Sequence, residues 1–119
     1  MRNPERLDVV EKAMLVAVAT YAVTKTFPAE ERWGLIDQMR RAAVSIGSNI
    51  SEGCGRATNK QFAASLHVAM GEAWELEYQV RLSERLGFGD ASSFDDLLEK
   101  IVIVKKMMAG LAAYLRRSA

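Results

Sequence analysis

Apolar residues recur along this chain at alternating steps of three and four, in four separate series. The first runs Leu7, Val10, Met14, Ala17, Tyr21 and Thr24, and the second Leu35, Met39, Ala42, Ile46 and Ile50. The third is Phe62, Leu66, Ala69, Ala73, Leu76 and Val80. The fourth is Phe94, Leu97, Ile101, Val104, Met108, Leu111 and Leu115. A period near 3.6 puts each series on one face of a helix; a strand would need alternation, and none persists. The spacing predicts helices over about 5–25, 28–53, 59–87 and 93–117. Pro28 suits a first helical turn, where Glu30 and Glu31 favour the positive end of the helix dipole. Thr58 with Gln61 reads as a capping box, and Ser93 with Asp96 as a similar pair, with Asp95 adding charge there. Gly87 and Gly89 allow a left-handed turn after the third helix, and Arg116 and Arg117 sit near the negative end of the fourth. The connections are short, so successive helices run antiparallel. The expected architecture is all-α, an antiparallel up-and-down four-helix bundle over residues 1–119.

Three helices carry more apolar residues than one seam needs. The first adds Val9, Leu15, Val16 and Val18; the third Met70, Trp74 and Tyr78; the fourth Leu98, Val102, Met107 and Tyr114. One broad helix is ordinary core widening, but several together point to self-association. At 119 residues and 50% hydrophobic, the chain suits one domain with a modest core, part of whose apolar surface a partner covers. The single cysteine, Cys54, allows no internal disulfide and fits a cytoplasmic location. The run AMLVAVATYAV, residues 13–23, is too short to span a bilayer and has Asp8 and Glu11 where a signal peptide carries positive charge. It reads as a buried helix face, and no membrane partner is expected.

Candidate chemistry is sparse. His67 is the only histidine, and Ala64 occupies the position that a Glu-x-x-His metal motif would need. Glu72, Glu75 and Glu77 spread over different helix faces, so neither a metal nor another cofactor is expected. Cys54 lies in SEGCGR, where Arg56 and a following helix N-terminus would lower a thiol pKa. Yet no base and orienting partner is marked for it, and no phosphate-loop pattern is present. Catalysis by Cys54 or Glu52 is therefore the weakest of three readings. Gly47, Ser48 and Asn49 interrupt the apolar rhythm of the second helix between Ile46 and Ile50. Small residues there permit close helix approach, and glycine and asparagine permit a bend. Asn49 either faces solvent or hydrogen-bonds to a neighbouring helix or subunit.

A net charge of +1 does not advertise nucleic-acid binding for the chain as a whole. Locally, Arg32, Arg40, Arg41, Arg56 and Lys60 stand against Asp37 and Glu52. Repeated around an oligomer, such cations gain phosphate affinity that one subunit lacks. No aromatic residues appear interleaved with them as exposed stacking platforms, so nucleic-acid contact is expected to be led by the phosphate backbone.

The segment FPAEERWGLIDQMRRAAVSIGSNISEGCGR, followed by TNKQF, resembles the small helical proteins encoded within intervening sequences of bacterial 23S ribosomal RNA genes. The likeness runs from Leu7 to about Leu115 and is strongest from Phe27 to Phe62; GEAWELEYQV resembles that family's Glu-rich later helix. The family pattern falls on Phe27 to Glu31, Gly34 and Leu35, Gln38 to Ala43, and Ser45 to Gly53. Gly47 replaces the usual proline and Ser51 the usual alanine. The resemblance implies an up-and-down four-helix bundle assembled as a homopentamer. A related branch accompanies the reverse transcriptases of diversity-generating retroelements and binds that enzyme and nucleic acid through a basic surface. Carried over, Arg40, Arg41, Asn49, Glu52 and Arg56 mark an assembly or interaction region. The expected protein is a non-catalytic homo-oligomer that binds RNA, DNA or a nucleic-acid enzyme through Arg40, Arg41, Arg56 and Lys60. Gly47, Asn49 and Glu52 are expected to serve assembly or a helix irregularity. The alternative is a purely structural or protein-binding scaffold.

Overall fold

A computed structural model describes residues 7–117. Four helices account for most of them: α1 (Asp8–Thr24), α2 (Leu35–Cys54), α3 (Asn59–Arg85) and α4 (Ala91–Arg117). Each packs on its two neighbours in the cyclic order α1, α2, α3, α4, with α2 against α3 the most extensive pairing. A helix of 27 residues such as α3 is about 40 Å long, which sets the long dimension of the 46 × 23 × 21 Å bundle.

The apolar series of α2 and α3 are buried throughout, as is that of α4 except for half-buried Leu111. The α1 series is displaced by one position. Val9, Ala13, Val16, Thr20 and Val23 face the core, while Met14 is 55% exposed and Tyr21 42%. Both series step by three and four, and nearly every residue between 13 and 23 is apolar, so spacing alone could not choose between them. The buried set has the smaller side chains, which fit close to α2. Thr20 and Thr24 enter the core because their hydroxyls donate to the carbonyls of Val16 (2.8 Å) and Thr20 (2.7 Å).

Several termini follow the sequence. Thr58 Oγ1 accepts from Gln61 N–H at 3.1 Å, and Gln61 Oε1 accepts from Thr58 N–H at 3.2 Å, closing the capping box. At the end of α3, Gly87 N–H donates to Glu84 O and Phe88 N–H to Ser83 O, both at 3.0 Å, with Gly87 at φ 77°. This paired pattern needs a left-handed residue, which glycine supplies without a Cβ clash.

Two starts differ from expectation. Helix α4 begins at Ala91 rather than 93, because Asp90 takes the capping place expected of Ser93. Its carboxylate accepts from Ser93 Oγ (2.7 Å) and Ser92 N–H (3.3 Å), and these bonds hold its pKa below the usual carboxylate range. Asp96 instead pairs with Lys100 at 2.7 Å. Helix α2 begins at Leu35 rather than 28. Pro28 leads into a single 3₁₀ turn, Ala29–Glu31, and the chain turns again before α2. Glu31 belongs to that turn, yet its Oε1 accepts from Leu35 N–H at 3.2 Å and so caps α2 from outside. Gly34 makes room for this: a Cβ there would lie 3.1 Å from Glu31 Oε1. Phe27 anchors the same connection, with its ring 5.4 Å from that of Phe88 and 6.1 Å from that of Phe94. Edge and tilted ring pairs at these distances are attractive beyond their buried area. The α1–α2 and α3–α4 connections thus share one pole of the bundle.

Candidate functional site

Opposite its buried stripe, α2 carries a second one. Ile36, Asp37, Arg40, Arg41, Val44, Ser45 and Ser48 follow at helical spacing, continuing the turn residues Arg32 and Trp33. With Tyr21 of α1 they line an open groove of about 730 Å³ near the aromatic pole. The groove continues along α1 and α2 into an apolar stretch of about 310 Å³, lined by Met14, Ala17, Val44, Gly47, Ser48 and Ser51 among others. One end of this furrow is therefore cationic and aromatic, the other small and apolar.

The cationic end is held in place by its surroundings. Arg40 Nε donates to Thr24 Oγ1 at 2.9 Å, and its guanidinium carbon lies 4.5 Å from the centre of the Tyr21 ring. Thr24 is itself fixed, because its hydroxyl donates to the Thr20 carbonyl. Arg41 Nε donates to Asp37 Oδ2 at 2.9 Å, one helical turn back. In both arginines the bonded atom is Nε, so the outer amino groups of each planar fork remain available to an anion. Arg32 lies over Trp33, 4.9 Å from the ring centre, and Trp33 is 80% exposed. A tryptophan this exposed, in a turn fixed by the Glu31 cap, is an aromatic face presented to solvent.

This corrects one expectation. No stacking aromatic was expected among the cations, yet Trp33 and Tyr21 both stand there. Trp33 escapes a periodicity reading because it lies outside the apolar series, and Tyr21 because its spacing suits the core; folding α1 along α2 turns both outward. The four cations grouped by sequence also divide. Arg40 and Arg41 share the groove, whereas Arg56 and Lys60 lie at the far end of α2 and the start of α3. Sixteen residues of mostly helical rise separate Arg40 from Arg56, roughly 24 Å along the bundle. Lys60 instead joins His67 and Arg116 beside a smaller cleft, of about 490 Å³, between α3 and α4.

The remaining candidates have local roles. Helix α2 passes through Gly47, Ser48 and Asn49 without a break, and a Cβ on Gly47 would sit 3.6 Å from Ala13 Cβ, an ordinary contact. Asn49 is half-buried and donates from Nδ2 to Ser45 O at 2.9 Å and to Ser45 Oγ at 3.0 Å. Glu52 is exposed in the last turn of α2, and Cys54 is fully buried behind it. A thiol without solvent access is inert as a nucleophile. Among the described residues, no three His, Cys, Asp or Glu side chains converge as metal ligands, and no helix is long and apolar enough to cross a membrane.

On α3, Glu77 pairs with Lys105 of α4 and with Arg81 at 3.5 Å, and Lys105 Nζ lies 3.5 Å above the Trp74 ring. The Lys105 hydrogen bond, helped by the charges of Lys105 and Arg81, holds the Glu77 carboxyl below its ordinary range against partial burial. Glu72, nearby, is pushed up by burial and by Glu75.

These features define a four-helix bundle that gathers arginines and two aromatic rings along one groove. Residues 5–110 match the family model described as 23S rRNA-intervening sequence protein, and the chain belongs to that family. A crystal structure of a protein of unknown function from the S23 ribosomal protein family of Bacteroides thetaiotaomicron has the same fold, with a TM-score of 0.79. It is 22% identical, and the match covers 87% of this chain and 97% of that one. No curated protein matches the sequence.

Proposed function

We propose that this protein is a non-catalytic homo-oligomer that binds nucleic acid, or a nucleic-acid-processing protein with its substrate, through the arginine groove between α1 and α2. The observation that carries this reading is Arg40, tethered through Nε to Thr24 and packed on Tyr21, with Arg41 paired to Asp37 and the exposed Trp33 lining the same groove. Phosphate oxygens suit such forks, and tethering lowers the entropy lost when they bind. Self-association rests on the apolar half of the furrow and on exposed Met14, Val18, Val44, Trp74 and Tyr78. Five subunits, as the family resemblance implies, would repeat the cations around an axis and multiply weak phosphate contacts. The cytoplasm is the compartment that suits a chain with one reduced, buried thiol.

The test is binding to mixed-sequence RNA and DNA across a salt series. The logarithm of the affinity should fall linearly with the logarithm of salt concentration. Arg40→Ala with Arg41→Ala should weaken binding and flatten that slope by about 0.7 to 0.9 for each phosphate no longer neutralised. An unchanged slope removes the groove from the reading. Light scattering after size exclusion tests assembly; a strict monomer at micromolar concentration ends that part. The scaffold alternative predicts salt-tolerant partner contacts and no retained nucleic acid.

A further inference from the structure

We infer that the groove selects unpaired nucleic acid, with a nucleobase stacked on the free face of Trp33 and adjacent phosphates on Arg40 and Arg41. This rests on the nucleic-acid reading above and narrows it from any polyanion to a single strand. Phosphate contact alone has no use for an exposed indole. Here Trp33 is 80% exposed, with Arg32 over the ring at 4.9 Å. Its turn is fixed by the Glu31 bond to Leu35 N–H. A planar partner on the other face would complete a stack of guanidinium, indole and base. Helix α2 starts at Leu35, so Arg40 lies about 7.5 Å of helical rise beyond its first residue, and Trp33, Arg40 and Arg41 line the same groove. An extended strand spans such a gap while keeping its base splayed outward.

A duplex cannot use this arrangement without loss. Its bases are stacked on each other, so a base reaches Trp33 only after local unstacking, which costs a few kcal/mol. An unpaired strand exposes its π-faces already and is sequence-tolerant, because every base has one.

The experiment compares one 12-nucleotide sequence as single-stranded RNA, single-stranded DNA and DNA duplex, at fixed salt. A Trp74→Phe background makes Trp33 the sole tryptophan reporter. Expected are tighter binding of at least one single strand than of the duplex by tenfold or more, with quenching of Trp33 fluorescence. Trp33→Leu should weaken single-strand binding by about 5- to 150-fold, the range for one stacked base, and leave duplex binding unchanged. Trp33→Phe should recover much of the loss. Equal affinity for strand and duplex that still depends on Arg40 and Arg41 overturns the stacking inference while the groove reading stands. Absence of binding to all three ligands overturns both. A changed oligomeric state in Trp33→Leu, together with no quenching of Trp33 by either single strand in the Trp74→Phe protein, would assign the ring to a subunit contact and also overturn the inference.

Discussion

Glycine to alanine at three helical positions gives a sharp test of the packing, because the same substitution should have opposite signs. Gly53 lies in the last turn of α2, where a Cβ would sit 2.6 Å from Phe62 Cδ1 and 3.0 Å from both Phe62 Cε1 and Ser65 Cβ. Carbon atoms in comfortable contact stay about 3.5 Å apart, so the ring must retreat by about 0.9 Å. Phe62 is fully buried and has nowhere to go. Overpacking of this kind costs about 1–3 kcal/mol, against a helix-propensity gain of at most about 1 kcal/mol. Gly71 in α3 and Gly110 in α4 have nothing within 4 Å of the added carbon. There the propensity gain stands alone, and each variant should be more stable by about 0.5–1 kcal/mol. At about 4 °C per kcal/mol for a chain of this length, Gly71→Ala and Gly110→Ala should raise the melting temperature by about 2–4 °C. Gly53→Ala should lower it, by as much as about 8 °C. The assay is thermal or urea unfolding of all four proteins at one protein concentration, since assembly couples to apparent stability. If Gly53→Ala melts as high as the other two, α2 does not approach α3 as closely as described, and the reasoning fails.

Two further outcomes follow from side chains between the helices. The lowered Glu77 pKa means that its pair with Lys105 stabilises the fold fully above the ordinary carboxylate pKa of about 4.5 and loses that effect as pH falls through the lower folded value. Glu77→Gln should therefore melt earlier at neutral pH, by about 1–2 kcal/mol, and the gap should close on acidification; a gap constant from pH 7 to 3 would refute this. Cys54 is fully buried, so an excess of thiol reagent should label it only at the rate of unfolding, and rapid labelling of the native protein would contradict its position.

The bundle was legible wherever large apolar residues were separated by polar ones. Leu35, Met39, Ile46 and Ile50 declare their face because arginines, serines and an aspartate fill the intervals. In α1 the intervals hold alanine and valine, and the true face, Val9 to Val23, competes with an equally periodic neighbour containing Met14 and Tyr21. The start of α2 is misleading in sequence because Pro28, Glu30 and Glu31 carry every mark of a helix N-terminus. Instead the Glu31 side chain reaches forward four residues to cap Leu35 N–H, a local side-chain bond that a list of favourable N-terminal residues does not reveal. Of the site, Arg40 and Arg41 were readable as a flank of α2. Their company was not, since Tyr21 arrives from another helix and Trp33 from a turn. The distance to Arg56 and Lys60 was readable in principle, because helical rise alone puts them at opposite ends.

The contact of Phe27 with Phe88 joins residues 61 positions apart, and it closes the bundle where the arginine groove begins. Such long-range closure comes late, after the helices it connects have met. During synthesis, α1 and α2 leave the ribosome well before Phe88 and Phe94 exist to receive the Phe27 ring. The Phe27 side of the α1–α2 connection therefore gains its aromatic anchor only when the α3–α4 connection and the start of α4 arrive. A chain cut before Phe88 keeps the partners that tether Arg40 and Arg41, all of them within α1 and α2, and lacks only the aromatic closure of the pole beside them.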